Sequence, residues 1–262
     1  LRGEVGLHGA EVTGTLRMLS DSTAKASLDL RSAKVGVLFD SRDSWPEASK
    51  LTLDGFEYGD IDQDSPRSAK ERLEWLGRMP NGQFLPQPYE QLAKWFQRTG
   101  HDSEAKAIRI AKEEKRLENM SWEREPYQRV FWHLAGLLVD YGYRPQKIVP
   151  YLLTLICTCA FIFWVGYPQS MTQSVSYQYA VQQENASLGH ANATNYPTFN
   201  PIIYSIDVAL PIVDLQQERY WMPDSESQFG ATYWFVNWIE VLAGWVLTSF
   251  AIAGATGIIR KD

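Results

Sequence analysis

The side chains of this chain best placed to do chemistry are four carboxylates, Asp207, Asp214, Glu218 and Glu240, set in or beside stretches with almost no other charge. A carboxylate against an apolar wall attracts cations, and an acid in or beside a long apolar run is a functional candidate. Asp207 and Asp214 could line an aqueous path as a ring of side chains in an oligomer. Glu240 stands directly before an uncharged run and from there still reaches water. The other reactive types are dispersed. His8, His101, His133 and His190 lie in different segments, and Cys157 and Cys159, two apart on a helix, point in different directions and read as small apolar filler. There is no Ser-His-Asp, His-Glu-x-x-His or P-loop spacing, no glycine-rich loop after a strand and no Cys-x-x-Cys. No catalytic residue, cofactor or metal ion is therefore expected, and an enzyme would have to keep its reacting groups elsewhere.

These acids are positioned by two uncharged runs. Residues 148–167 make 20 positions without a charge and residues 241–259 make 19 more; at 1.5 Å per residue each reaches about 30 Å, the thickness of a bilayer's hydrocarbon. Both are expected to be transmembrane helices. Arg144 and Lys147 precede the first and Arg260 and Lys261 follow the second, whereas the 73 residues of 168–240 hold one basic side chain, Arg219. The positive-inside rule puts both ends of the chain in the cytoplasm, the 260–262 tail included, and the 168–240 loop outside. Trp164, Tyr167, Trp234 and Trp238 then form an outer aromatic belt. Ala251, Ala253, Gly254, Ala255 and Gly257 give the second run a small-residue face for close helix contact, within the chain or with another subunit. Within the loop, 199–215 is apolar and interrupted by Pro201 and Pro211, too short to cross and free to lie on the membrane, dip into it or pack on the spans.

Upstream the pattern changes twice. Residues 1–64 carry 7 basic and 12 acidic side chains, and 65–147 carry 15 and 11. An eight-residue unit recurs at 5–12, 28–35 and 51–58, offset by 23 each time, with apolar positions 1, 3, 6 and 8 and a small residue (Gly9, Ser32, Gly55) at position 5. Strand, corner, strand is the expected local form, and a unit too short to bury its own face must stack on its neighbours, as in a β-solenoid. The chain opens almost inside the first unit and reads as the C-terminal piece of a longer polypeptide. From Ser65-Pro66, taken as a cap, the period becomes helical. Tyr89, Leu92, Ala93, Phe96, Gly100 and Ala105 carry the spacing of a TPR-like helical hairpin, Lys112 to Glu118 reads as a solvated face, and a helix over 127–140 places Val130, Leu134, Leu137 and Leu138 on one side, to pack under the hairpin or lie along the membrane. The expected fold is an α+β membrane protein with a short β-solenoid-like N-terminal part, a helical middle and two transmembrane helices.

The repeat segment Leu7-His-Gly-Ala-Glu-Val-Thr-Gly-Thr-Leu-Arg-Met18 resembles degenerate pentapeptide repeats. Joined to the 199–215 stretch, to Leu-Gln-Gln-Glu-Arg-Tyr-Trp-Met-Pro ending at Pro223 and to the closing run, it resembles the C-terminal module of pentapeptide-repeat-containing membrane proteins of bacteria. The resemblance implies a rigid interaction surface without chemistry of its own, carried on the bacterial inner membrane. Some of that group are labelled membrane-associated oxidoreductases; any redox domain would lie upstream of Leu1. The leading expectation is a non-enzymatic scaffold or sensor whose partners are the lipid bilayer, a protein bound by the cytoplasmic region and, in a homo-oligomer, a second copy. An oligomeric pore is the alternative, although the 199–215 element has no Thr-Val-Gly-Tyr-Gly filter. A net charge of −6 and two cysteines argue against a basic nucleic-acid binder and a disulfide scaffold. Asn185 and Asn192 begin glycosylation sequences that matter only in a eukaryote.

Overall fold

The computed structural model describes residues 3–19, 26–80, 82, 84–121, 126–174 and 197–259, in two compact units, Leu1–Gly136 and Leu137–Asp262. Asn185, Asn192, His190 and the 260–262 tail lie outside the described residues.

In the first unit the repeat becomes two short parallel ladders. β1 (Glu4–Gly6), β3 (Ser27–Asp29) and β5 (Leu51–Thr52) form one; β2 (Glu11–Arg17), β4 (Lys34–Phe39) and β6 (Glu57–Ile61) form the other. The register restates the 23-residue offset: Val5 pairs with Leu28 and Leu28 with Leu51, Val12 with Val35 and Val35 with Tyr58. The corner at position 5 needs a left-handed backbone in each copy, with φ of 70° at Gly9, 55° at Ser32 and 74° at Gly55, which explains the small residues there. Inward side chains Leu28, Leu30, Leu38, Leu51, Leu53 and Phe56 are almost wholly buried.

Four helices follow: α1 (Ala69–Leu76), α2 (Pro86–Arg98), α3 (Asp102–Glu118) and α4 (Pro126–Val139), the last running across the division between units. The cap of α1 is Ser68, whose hydroxyl accepts from the Glu71 amide while Glu71 reaches back to the Ser68 amide. Ser65 is buried instead and accepts the amide of Asp40 at 2.9 Å. One ladder ends on α2: Gln87 and Gln91 donate to the Phe56 and Tyr58 carbonyls at 3.0 and 2.8 Å, Trp95 donates to Asp60 at 2.8 Å, and Arg98 donates to the Gly59 carbonyl. Positions i, i+4, i+8 and i+11 of one helix face thus close a sheet edge that would otherwise be raw. Among the described residues, no strand pairs with the opposite edge, formed by β1 and β2.

Two polar arrangements in this unit were not legible in the sequence. Asp40 and Arg72 are fully buried and paired through both guanidinium nitrogens at 2.7 and 2.8 Å, with Trp45 Nε1 donating to the same carboxylate at 2.7 Å. The stretch expected to be a solvated face is partly interior: Lys112 and Glu113 are buried, Lys112 pairs with Glu90 and Glu113, and Arg116 pairs with Glu113 and lies over the Trp132 ring at 4.2 Å. Packing of α2 on α3 turns that face inward, and the charges are retained because each meets an opposite one.

Replacing Asp40 with Ala leaves an uncompensated buried guanidinium and should lower stability by about 3–5 kcal/mol. Arg42→Ala, which removes surface pairs to Glu71 and Glu74 at 3.2 and 3.7 Å, should cost less than about 1 kcal/mol. Chemical denaturation of the detergent-solubilised chain, followed by tryptophan fluorescence, ranks the two; equal losses would refute the assignment of the core pair.

The second unit is built on two long helices, α5 (Val149–Gly166) and α8 (Gly230–Ala255), with a short one, α6 (Pro201–Ala209), packed against both. The end of α5 meets the start of α8, where Gly166 faces the Tyr233 ring, and the end of α8 meets the chain before α5, where Gly254 faces Val139 and Pro145; the long helices are therefore antiparallel. A four-residue helix α7 (Gln217–Tyr220) and an antiparallel pair, β7 (Met171–Gln173) and β8 (Trp221–Pro223), complete the described fold. The second long helix begins eleven residues before the expected 241, so Trp234, Trp238 and Glu240 lie inside it and not in a loop. Residues 230–240 contain one charge, Glu240 itself, which ended the uncharged run in the sequence without ending the helix.

Candidate functional site

The site candidates converge on α6. Asn200 caps this helix, its side-chain oxygen accepting from the Ile202 and Ile203 amides at 3.0 and 3.2 Å, and Pro201 takes the first helical position, where its missing N–H costs nothing. Tyr167, Phe199, Tyr204, Phe163 and Trp221 hold its upper end in an aromatic cluster with ring centroids 5.0–5.6 Å apart. The helix then follows α8: Tyr204 donates to Asn237 at 2.8 Å, and the Ala209 carbonyl lies directly against Gly244. Gly244 is fourteen residues into α8, or about 21 Å along it. A Cβ at Gly244 would overlap the carbonyl oxygen of Ala209. Residues 201–209 therefore pack alongside both long helices as far as Gly244, and not on their outer ends alone, while 211–216 stays exposed.

Asp207 is buried in α6, and both of its oxygens are occupied, accepting the amide of Leu215 at 2.5 Å and that of Glu218 at 3.0 Å. It organises the return of the chain after Pro211. Asp214 is exposed, pairs with Arg219 at 2.6 Å and accepts the Gln216 amide at 3.0 Å. Glu218 lies on the surface with its carboxyl raised above the ordinary range, chiefly by desolvation and then by Asp207 and Asp214, against the pull of Arg219. Asp207, Asp214 and Glu218 thus form one loop-ordering group.

Glu240 is separate from that group and differs in kind. It sits about 15 Å into α8 and is 0% exposed. The Ser205 hydroxyl of α6 and the Cys159 thiol of α5 face it, yet neither closes a hydrogen bond of normal geometry, and both carboxyl oxygens and Ser205 Oγ are without a partner. Cys159 is buried and Cys157 exposed, so their different directions are as expected, but Cys159 faces a carboxyl and is more than filler. Tyr233, Asn237, Glu240, Gly244 and Thr248 follow one another at i+3 or i+4 and share a face of α8. That polar stripe through an apolar helix was readable and is the signal the sequence analysis missed. Of the proposed small-residue face, only Gly254 is buried; Ala251, Ala253, Ala255 and Gly257 stay at least partly exposed. Gly254 packs on Val139 and Pro145, and a further, tighter contact is made by Gly244, where α6 reaches α8 with its short Ala209 end.

Among the described residues no group of three or more His, Cys, Asp or Glu could hold a metal ion. Comparison of the chain with family models, with curated proteins and with solved structures gave no match in any of the three.

Gly244→Ala should unseat α6 and cost about 1–3 kcal/mol by overpacking, whereas Ala255→Ser, at an exposed position, should be near neutral. Thermal unfolding in detergent, monitored by near-ultraviolet circular dichroism, separates them. Equal midpoints for Gly244→Ala and the native chain would mean that the close approach does not hold the unit together.

Proposed function

We propose that the chain is a non-enzymatic, membrane-anchored scaffold or sensor. The observation that carries this reading is the surface of the two long helices: each is long and apolar enough to cross a bilayer, and only 22% and 17% of their apolar windows are buried within the chain. Leu153, Phe161 and Trp164 on α5 and Leu242 and Trp245 on α8 are more than half exposed. Hydrocarbon is the solvent that such faces fit. In this reading α5 and α8 are the spans, Arg144 and Lys147 mark the cytoplasmic side, and the 168–229 region enters from the other side, with α6 reaching along α8 as far as Gly244. Tyr127, Val130, Phe131, Leu134 and Leu137 leave an apolar stripe of α4 exposed, which suits a helix lying along the inner interface just before the first span.

The repeat region supplies the interaction surface. Its ladders stack at a constant 23-residue offset, as coils of a β-solenoid would, and the open edge of β1 and β2 offers a row of backbone groups to a further strand or a partner. The resemblance to bacterial pentapeptide-repeat membrane proteins favours the inner membrane as the site of action. The pore reading is weaker, because the oxygens of Asp207 are spent on the chain's own amides and Asp214 is paired with Arg219.

Topology is tested by single cysteines at two exposed serines. In intact cells, Ser225→Cys should react with an impermeant thiol reagent and Ser103→Cys only after lysis; the opposite pattern inverts the arrangement, and labelling of both removes the membrane. The purified chain should leave planar bilayers silent. A reproducible cation current altered by Asp214→Asn would put the pore ahead of the scaffold.

A further inference from the structure

We propose that Glu240 is a proton-binding site whose occupancy is linked to the seating of α6 between α5 and α8. The inference rests on burial and on counting partners, and it does not require that the long helices cross a bilayer, because the carboxyl is enclosed by the unit itself.

The groups facing Glu240 are few. From α5 comes the thiol of Cys159; from α6 come the hydroxyl of Ser205 and the phenol of Tyr204, while Asp207 on the same helix is turned to the amides of Leu215 and Glu218; from α8 itself comes Asn237, one turn away and bonded to Tyr204. Among the described residues no lysine, arginine or histidine pairs with it, and Arg219, the one basic side chain of the loop, is exposed and committed to Asp214. A charged carboxylate in such a place lacks a counter-ion, and the donors that face it are one hydroxyl and one thiol, too few and too weak to replace its hydration. A metal cation would neutralise the charge but needs about six oxygen ligands, and one carboxyl with one hydroxyl cannot supply them. A proton needs a single acceptor, which Glu240 provides.

Seating and protonation share the same surface. Ser205 stands opposite Glu240 one turn before Ala209 meets Gly244, so water or a donor can reach an ionised Glu240 only where the α6–α8 seam parts. Closing the seam favours the neutral acid, and by linkage the neutral acid favours the closed seam. Tyr204 and its hydrogen bond to the half-buried Asn237 lie one turn from Glu240, toward the partly exposed start of the seam.

The test uses the full chain in detergent or lipid nanodiscs and dicyclohexylcarbodiimide, an apolar reagent that consumes protonated carboxyls. The acid proton moves to a carbodiimide nitrogen as the carboxyl oxygen bonds the central carbon, and the adduct rearranges to a stable N-acylurea with nothing released. Peptide mapping should find Glu240 modified at pH values where it holds its proton, with a yield that drops about tenfold per pH unit above the titration midpoint and does not respond to sodium, potassium or calcium. The adduct should vanish in Glu240→Gln. In the same preparation, amide hydrogen exchange over 201–209, corrected for the intrinsic pH dependence, should be equal in the native chain and Glu240→Gln at acid pH and several-fold faster in the native chain at alkaline pH. No adduct at any pH in a folded sample, or protection by a metal cation at fixed pH, overturns the proton site. Equal exchange at every pH overturns its link to α6.

Discussion

The carbonyl of Ala209 rests on α8 at Gly244, with no room between them for a side chain larger than hydrogen. Much of the second unit follows from that approach. It fixes α6 parallel to α8, brings Tyr204 to Asn237 and Ser205 to Glu240, and seals the carboxyl from solvent. It also sets the problem of the return: a chain that descends beside two apolar helices must come back with its amides satisfied. Asp207 answers it by accepting from Leu215 and Glu218, and Gln217 accepts the Asn200 amide, so the returning chain is tied to both the middle and the start of α6.

The two units treat buried charge in opposite ways. In the first, Asp40 has Arg72 and Trp45, and Lys112 and Glu113 have each other and their neighbours. Such pairs contribute little net stability against an apolar alternative but are costly to break, so they specify how α1 and α3 dock. In the second, Glu240 is enclosed with neutral groups only. An acid kept in an interior without a cationic partner is not explained by packing, since a leucine or glutamine would serve packing at less cost.

The apolar periodicities and the repeat were legible because each is written in local spacing. The 23-residue offset reappears in the strand register, and the left-handed corner explains the small residue of each copy. The helices over 86–98, 102–118 and 126–139 follow the 3.6-residue pattern of their buried positions. What misled was treating charge as a boundary. Glu240 interrupted an uncharged run, and the helix was expected to begin after it; backbone hydrogen bonding continues through a glutamate at no cost, so α8 starts at Gly230.

By itself, the sequence determined which segments repeat, which are helical and which are long and apolar enough to cross a bilayer, because these depend on residues near one another along the chain. Only the tertiary structure decided that 201–209 packs against both long helices, that Asp207 serves its own loop while Glu240 is shut away, and that Gly244 makes a close approach to α6. The seating of α6 depends on partners 33 or more residues away, such as Asn237, and the role of Asp207 on amides 8 and 11 residues on, so the residue type alone does not tell whether a carboxyl is a cap, a surface charge or a buried acid.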